Sequence, residues 1–384
     1  MTDPFLFATA GEILFGRGQA AQVPARIAGW GRRVLLVHGR NGDRVAWLGA
    51  ALSAEGCTVE TISVATEPDL PMIEAATRRA RAMEADLVLS IGGGAVIDAG
   101  KAIAALVPAR RPVLDHLEVV GLGLPLEAPP LPFVALPTTA GTGAEVTRNA
   151  VIAVPEHRRK VSLRDARMLP RLALVDPSLT DGCPRAVTLA SGLDAITQVI
   201  EPYICTRANP LTDALCRDAI PRGLRALIAL MQAEDPAARD EMAWTSLCGG
   251  LALANAGLGV VHGLAGPLGG LSGAAHGAIC GALLPHGLAA NRRACTDPAL
   301  AARMDQVAGW IAAAFDAPGL PLDAACARLA EWSRAQGLPG LAAQGIDAQA
   351  EALAAEAAAT SSSMKANPAA LDAGDLRAIL QAAR

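Results

Sequence analysis

The chain has 384 residues, 52% of them apolar but only 3% aromatic, and a formal net charge of −4. That length exceeds one ordinary core and points to two domains, while the weak charge, with Arg158-Arg159-Lys160 as its densest basic cluster, argues against nucleic acid as a partner. The eight cysteines contain no C-x-x-C pair, and several sit inside apolar helical stretches, as buried reduced thiols do.

In chain order, short β-branched or leucine-rich runs alternate with alanine-rich amphipathic segments. The pattern predicts a strand over Arg33 to His38, a helix over Asp43 to Glu55, a strand over Thr58 to Val64, a helix over Met72 to Ala85 and a strand over Leu87 to Ile91. Phe133 to Leu136 and Leu172 to Val175 add strands closed by turns at Pro137 and Pro177. Such alternation implies parallel βαβ units. After about Ser178 the period changes to three and four, as in Leu211 to Leu230 and Met242 to Leu258, which predicts a helical domain. The expected division is residues 1–178, a dinucleotide-binding α/β domain, and 179–384, a helical metal and substrate domain. A glycine-rich interval, Gly257 to Gly287, is expected to interrupt the helices, and Pro318 to Pro339 and Ser361-Ser362-Ser363 read as connections. The N-terminus has no basic and apolar signal pattern, and no apolar run reaches spanning length, so a cytoplasmic protein without membrane partners is expected.

Three elements carry chemistry. From Asp86 to Lys101 a buried strand ends at Ile91, Gly92-Gly93-Gly94 turn the chain, and a helix is expected from near Val96. Without side chains, this turn is either a plain strand-to-helix connection or a seat where backbone N–H groups meet a phosphate at the positive helix end. Asp98 and Lys101, one turn apart, either join that site or form an intrahelical ion pair. The second element, Pro137-Thr138-Thr139-Ala140-Gly141-Thr142-Gly143, again follows a strand, and its hydroxyls serve as caps or as donors to phosphate or ribose. Two such turns at successive strand ends fit the rule that ligands gather outside the carboxyl ends of parallel strands. The third element places Asp194 in an apolar helix, with His262 and His276 farther on. A buried carboxylate needs a partner or a cation, and one carboxylate with two imidazoles suits a catalytic divalent ion; the alternative for each histidine is a hydrogen-bonded core residue.

The ordered set Gly92-Gly93-Gly94-x-x-x-Asp98-x-x-Lys101, Pro137 to Glu145, Asp176-Pro177, Gly192-Leu193-Asp194, Gly259-Val260-Val261-His262, His276-Gly277 and Leu284-Pro285-His286 resembles the iron-containing (group III) alcohol dehydrogenase family, from about Gly11 to Pro368. The resemblance implies a dehydroquinate synthase-like architecture: a Rossmann-like α/β N-terminal domain with a parallel sheet, followed by an all-α C-terminal domain. It implies hydride exchange between NAD(P)H and a carbonyl or alcohol at a divalent metal, iron or zinc, in a homodimer. The implied metal ligands are Asp194, Gln198, His262 and His276, with Gln198 standing where the family usually has histidine. Related glycerol dehydrogenases hold zinc with one aspartate and two histidines, which leaves Asp194, His262 and His276 as a three-ligand set that also carries the catalysis.

Gly266 stands where the family commonly has a further histidine for proton transfer. The implied cofactor contacts are Gly39, Arg40, Gly92, Gly93, Gly94, Asp98, Thr138, Thr139, Thr142 and Lys160. At the end of the first nucleotide-binding strand, Val37-His38-Gly39-Arg40-Asn41 lacks the acidic residue of NAD-preferring relatives, so NADPH is expected to be tolerated or preferred. Arg148 suggests an anionic substrate unless it pairs with Glu145, and Leu253, Leu258 and Leu271 would form an apolar wall. The maleylacetate reductase branch, reducing an anionic keto acid without metal, is the alternative within the family; a dehydroquinate synthase-like lyase ranks below it.

Overall fold

In the computed structural model, which describes residues 4–384, the apolar runs of the first half become strands of one parallel sheet. The strands are β1 (Glu12–Phe15), β2 (Arg33–Gly39), β3 (Thr58–Val64), β4 (Leu87–Gly92), β5 (Phe133–Pro137) and β8 (Leu172–Val175), in the order β1-β8-β5-β4-β2-β3. β6 (Asn149–Val154) and β7 (Arg159–Arg164) form a separate antiparallel hairpin. Two of these features escape the sequence pattern. β1 is a four-residue edge strand with no buried residue, and the hairpin turns through Arg158 at φ 50°, a left-handed conformation that an Arg-rich cluster does not signal.

The helices of this part are α1 (Val23–Ile27), α2 (Ala46–Ala54), α3 (Leu70–Ala82), α4 (Gly94–Leu106) and α5 (Val113–His116). α4 starts at Gly94 rather than near Val96, and from Val96 to Leu106 only Asp98 is less than fully buried. It lies so near the sheet that a Cβ on Gly100 would stand 1.9 Å from the Ser90 hydroxyl and 2.9 Å from the Phe133 ring. Glycine is what permits this approach.

The second half is helical throughout: α6 (Arg185–Ile204), α7 (Pro210–Leu230), α8 (Pro236–Asn255), α9 (Val260–Ser272), α10 (His276–Ala294), α11 (Pro298–Ala314), α12 (Leu322–Ala335), α13 (Ala348–Ala358) and α14 (Ala373–Ala382). Two expectations are corrected here. The glycine-rich interval does not interrupt the helices, because α9 and α10 occupy nearly all of it, and Pro318 to Pro339 holds α12 rather than a simple connection. The glycines serve packing: a Cβ on Gly277 would lie 2.5 Å from the Ala190 carbonyl oxygen and one on Gly281 2.7 Å from Leu193 Cδ1. α10 therefore seats directly on α6.

Packing separates the chain into two units. One comprises Thr9–Thr139 and Gly143–Thr180; the other comprises Asp181–Arg384 with Ala140–Thr142 and residues 4–8. Among the described residues no single helix is long and apolar enough to cross a membrane.

Gly277→Ala is expected to destabilise the protein by about 1–3 kcal/mol through overpacking against α6. The control is Gly309→Ala on α11, where a Cβ meets nothing within 4 Å; it is expected to stabilise by roughly 0.5–1 kcal/mol. Urea unfolding midpoints at unchanged m-value read both signs.

Candidate metal centre and dinucleotide turns

In the helical unit, α6 presents Asp194, Gln198 and Glu201, all buried, at spacings of four and three that share one helix face. α9 carries His262 in its first turn, and α10 opens with His276. His262 Nε2 stands 3.5 Å and His276 Nε2 3.8 Å from Asp194 Oδ1, and the two rings are 5.4 Å apart between centroids. Cys280, one turn after His276, brings its Sγ to 3.5 Å from His276 Nε2 and 4.0 Å from His262 Nε2. Ligand atoms of Asp194, His262, His276 and Cys280 all lie within 4.8 Å of one another.

Glu201 sets this geometry. Its Oε2 lies 2.7 Å from His262 Nδ1 and its Oε1 accepts the Val261 amide at 2.7 Å, so one carboxylate fixes the ring and caps α9. The partner on Nδ1 turns Nε2 toward Asp194. Gly259 is the residue this arrangement needs: a Cβ there would stand 2.8 Å from Asn367 Oδ1 and 2.9 Å from Glu201 Oε1. Asn367 in turn accepts the Val260 amide at 2.9 Å.

Two buried oxygens in the cluster, Asp194 Oδ1 and Gln198 Oε1, have no hydrogen-bond partner. An unsatisfied buried acceptor costs about 1–3 kcal/mol, more for a charge, and a cation beside it removes that cost. Burial pushes the Asp194 carboxyl upward, but the neighbouring His276, His262 and the Gln198 amide outweigh it and hold the group at about 2. Burial presses His276 down, yet Cys280 and Asp194 raise it to about 9; the same opposition, with Glu201 added, leaves His262 well above the usual imidazole range. The pocket thus favours positive charge, supplied by protons or by a metal. Oxygen, imidazole and thiol donors together suit a borderline divalent ion. The His276 side chain is 35% exposed and that of His262 8%, so the cluster opens on the His276 side.

The sequence reading brought Asp194, His262 and His276 together and missed Cys280 and Glu201. The four-residue spacing from His276 to Cys280 was the available signal, but a cysteine in an apolar helix also reads as core. Gly266 lies one turn after His262, and a Cβ there would meet nothing within 4 Å. Leu253, Leu258 and Leu271 are each half-buried, and Leu271 packs on the helical core.

In the α/β unit, β3 and β4 flank β2 on opposite sides, which makes the β2–β4 boundary a topological switch point. Gly39 closes β2 there with Arg40 just beyond, Gly92 closes β4 and leads through Gly93 into Gly94 of α4, and Thr138-Thr139 follow the adjacent β5. Side-chain-free Gly93 is the N-cap of α4, and a Cβ on it would sit 3.2 Å from the Thr139 hydroxyl, so the two turns abut. Thr142 belongs to the helical unit. Arg40 is exposed, its guanidinium 3.4 Å from the Ala65 carbonyl. Lys160, on β7, pairs with Glu67.

Asp98 and Lys101 are more than an ion pair. Asp98 accepts the Val151 amide at 3.0 Å, while buried Lys101 donates to Ala144 O, Thr147 Oγ1 and Asn149 O at 2.7–2.9 Å. α4 thereby anchors the segment leaving the threonine turn. Glu145 is buried and interacts electrostatically with Lys101, whereas Arg148 is half-exposed.

The family model described as iron-containing alcohol dehydrogenase matches residues 10–177, and that described as Fe-containing alcohol dehydrogenase family, C-terminal, matches residues 188–384. Long-chain-alcohol dehydrogenase 1 of Geobacillus thermodenitrificans is 40% identical over 64% of this chain and 62% of its own length. Alcohol dehydrogenase 4 of Schizosaccharomyces pombe is 33% identical over 77% of this chain and 70% of its own. The alignment with the first of these relatives thus spans less than two thirds of that protein. A solved 1,3-propanediol oxidoreductase superposes with a TM-score of 0.87 at 29% identity, each chain covered to 100%.

Burial raises Glu145 to about 7 from 4.5, so the folded protein holds a proton that the unfolded chain releases across this window, and stability falls as pH rises through it. Burial lowers Lys101 to about 8 from 10.5, so stability falls as pH drops from 10.5 toward 8. Glu145→Gln is expected to flatten the decline in Tm between pH 4.5 and 7. A decline as steep as in the parent protein would show that Glu145 is not its source.

Proposed function

The chain belongs to the iron-containing alcohol dehydrogenase family, and we propose that it exchanges a hydride between NAD(P)H and a small aldehyde or ketone, or the corresponding alcohol, at a divalent metal. The observation that carries this reading is the buried, unpartnered Asp194 oxygen facing His262 and His276. Asp194, His262 and His276 would hold the ion. When bound, it supplies Lewis-acid polarisation of a carbonyl oxygen. Glu201 keeps His262 in the orientation that presents Nε2, and Gln198 braces the Asp194 carboxylate. The helical core around α6 keeps bulk water from Asp194, while the more exposed His276 side leaves room for a small substrate.

For the cofactor, Gly92-Gly93-Gly94 at the α4 N-terminus would take the pyrophosphate, and Thr138 and Thr139 would donate hydroxyls. Arg40 and the absence of a carboxylate in Val37 to Asn41 support NADPH. Lys160 and Asp98 are assigned lesser roles there, since Glu67 and the Val151 amide already engage them. Gly266 supplies no acid, so the proton would have to come from water at the site or from a ribose hydroxyl of the bound cofactor. Metal-free reduction of an anionic keto acid is the second reading, favoured by half-exposed Arg148 and opposed by the unpartnered Asp194 oxygen. The intracellular pools of NAD(P)H and the lack of a spanning helix among the described residues support a cytoplasmic enzyme.

Asp194→Asn is expected to abolish stoichiometric metal, measured by elemental analysis, and to lower kcat/KM by about a thousandfold, roughly 4 kcal/mol of lost polarisation. Metal retained at one ion per chain would contradict the ligand set. Arg40→Ala is expected to reduce kcat/KM for NADPH about tenfold with little change for NADH. Equal losses with both cofactors would count against a 2′-phosphate contact. Gly266→His, which the open space accommodates, is expected to add an ionisation to the pH–rate profile; an unchanged profile would mean that no proton passes that position.

A further inference from the structure

We infer that Cys280 is a protein ligand of the metal, completing an Asp194-His262-His276-Cys280 set that favours zinc over iron; this rests on the metal reading above. A tetrahedral zinc site, with bonds of about 2.0–2.1 Å to nitrogen or oxygen and about 2.3 Å to sulfur, requires donor atoms roughly 3.3–3.7 Å apart. The observed separations are 3.5 and 3.8 Å from Asp194 Oδ1 to the two imidazole Nε2 atoms, and 3.5 and 4.0 Å from Cys280 Sγ to the same two atoms. These are four of the six edges of a donor tetrahedron, and all four ligand atoms lie within 4.8 Å of one another. The four edges need to shorten by at most a few tenths of an ångström to reach those tetrahedral values.

Gln198 is a poorer candidate for that corner. Its amide N–H braces the Asp194 carboxylate, and although its buried Oε1 has no hydrogen-bond partner, a neutral amide oxygen is a weaker donor to a borderline metal than a thiolate. Charge points the same way. The anionic thiolate adds to the Asp194 and Glu201 carboxylates in holding a divalent cation among fully buried neighbours such as Leu193, Leu283 and Ile279. Binding is balanced by release to solvent of the Cys280 thiol proton and of the protons that the metal-free pocket holds on His262 and His276, as the metal–sulfur and metal–nitrogen bonds form. Thiolate is a soft ligand, so a sulfur donor shifts preference from iron toward zinc. Position supports a ligand over a spectator: Cys280 is held one turn from His276 by the same helix, and that helix is pinned to α6 through Gly277 and Gly281.

The test is cobalt(II) loading of the metal-free full-length protein. The expected result is one cobalt per chain with a near-ultraviolet thiolate-to-cobalt charge-transfer band that Cys280→Ser abolishes and Gln198→Ala retains. Cys280→Ser is also expected to reduce zinc affinity at least tenfold. Cobalt bound at one per chain without the band, or a band that persists in Cys280→Ser, overturns the ligand assignment and leaves the metal reading standing. No cobalt bound at all overturns the metal reading itself. Should Cys280→Ser fail to fold, X-ray absorption on the zinc-loaded parent protein decides: one sulfur scatterer at about 2.3 Å supports the assignment, and nitrogen and oxygen alone overturn it.

Discussion

A carboxylate buried in a helical core, with one oxygen left unpartnered, is the constraint around which the helical unit is arranged. Asp194 sits 1% exposed on α6, and Oδ1 has no hydrogen-bond partner, only the two imidazole Nε2 atoms at 3.5 and 3.8 Å. Leaving a charge in that state is costly, and positive charge on or between the two imidazoles offsets it, which is what a cation site provides. Each neighbouring element is fixed by a separate local necessity. Gly277 lets α10 rest on α6, Gly259 lets Glu201 reach the start of α9, and Glu201 aims His262. Three helices that share little sequence contact thus deliver donors to one point.

The α/β unit solves a different problem, holding flexible turns still. Its glycine and threonine turns lack bulky side chains and cannot be packed from within, so they are braced from behind. Lys101 reaches across from α4 to three acceptors on the segment after the threonine turn, and Asp98 ties the same helix to the hairpin. Asp176, from the Asp-Pro motif, accepts the Gly18 and Ala20 amides as well as Ser178, fastening the chain after β1 to the end of β8. Charged residues in these motifs do structural work at the edge of the turns that would face the cofactor.

The alternation of apolar runs and amphipathic segments made the parallel sheet legible, because strands buried on both faces read as continuous Val, Leu and Ile. β1 and the β6–β7 hairpin were missed although Ile13-Leu14-Phe15 and Ala150 to Val154 are apolar: β1 is a short, half-exposed edge strand, and β7, Arg159 to Arg164, alternates polar and apolar residues around the charged cluster. The glycine-rich interval misled for a physical reason: glycine lowers helix propensity, yet α9 and α10 form because close helix packing outweighs the local cost. Among the site residues, Asp194, His262 and His276 stood out as polar groups in apolar sequence. Cys280 did not, because its chemistry is set by the histidines beside it in space, and Glu201 looked like an ordinary helical glutamate until folding placed it on His262.

The most direct test of the central claim is anomalous diffraction from crystals of the zinc-loaded protein at the metal edge. The account predicts a dominant peak bounded by Asp194 Oδ1, His262 Nε2 and His276 Nε2. A map with no peak there, and with Asp194 Oδ1 hydrogen-bonded to another protein group, would contradict it.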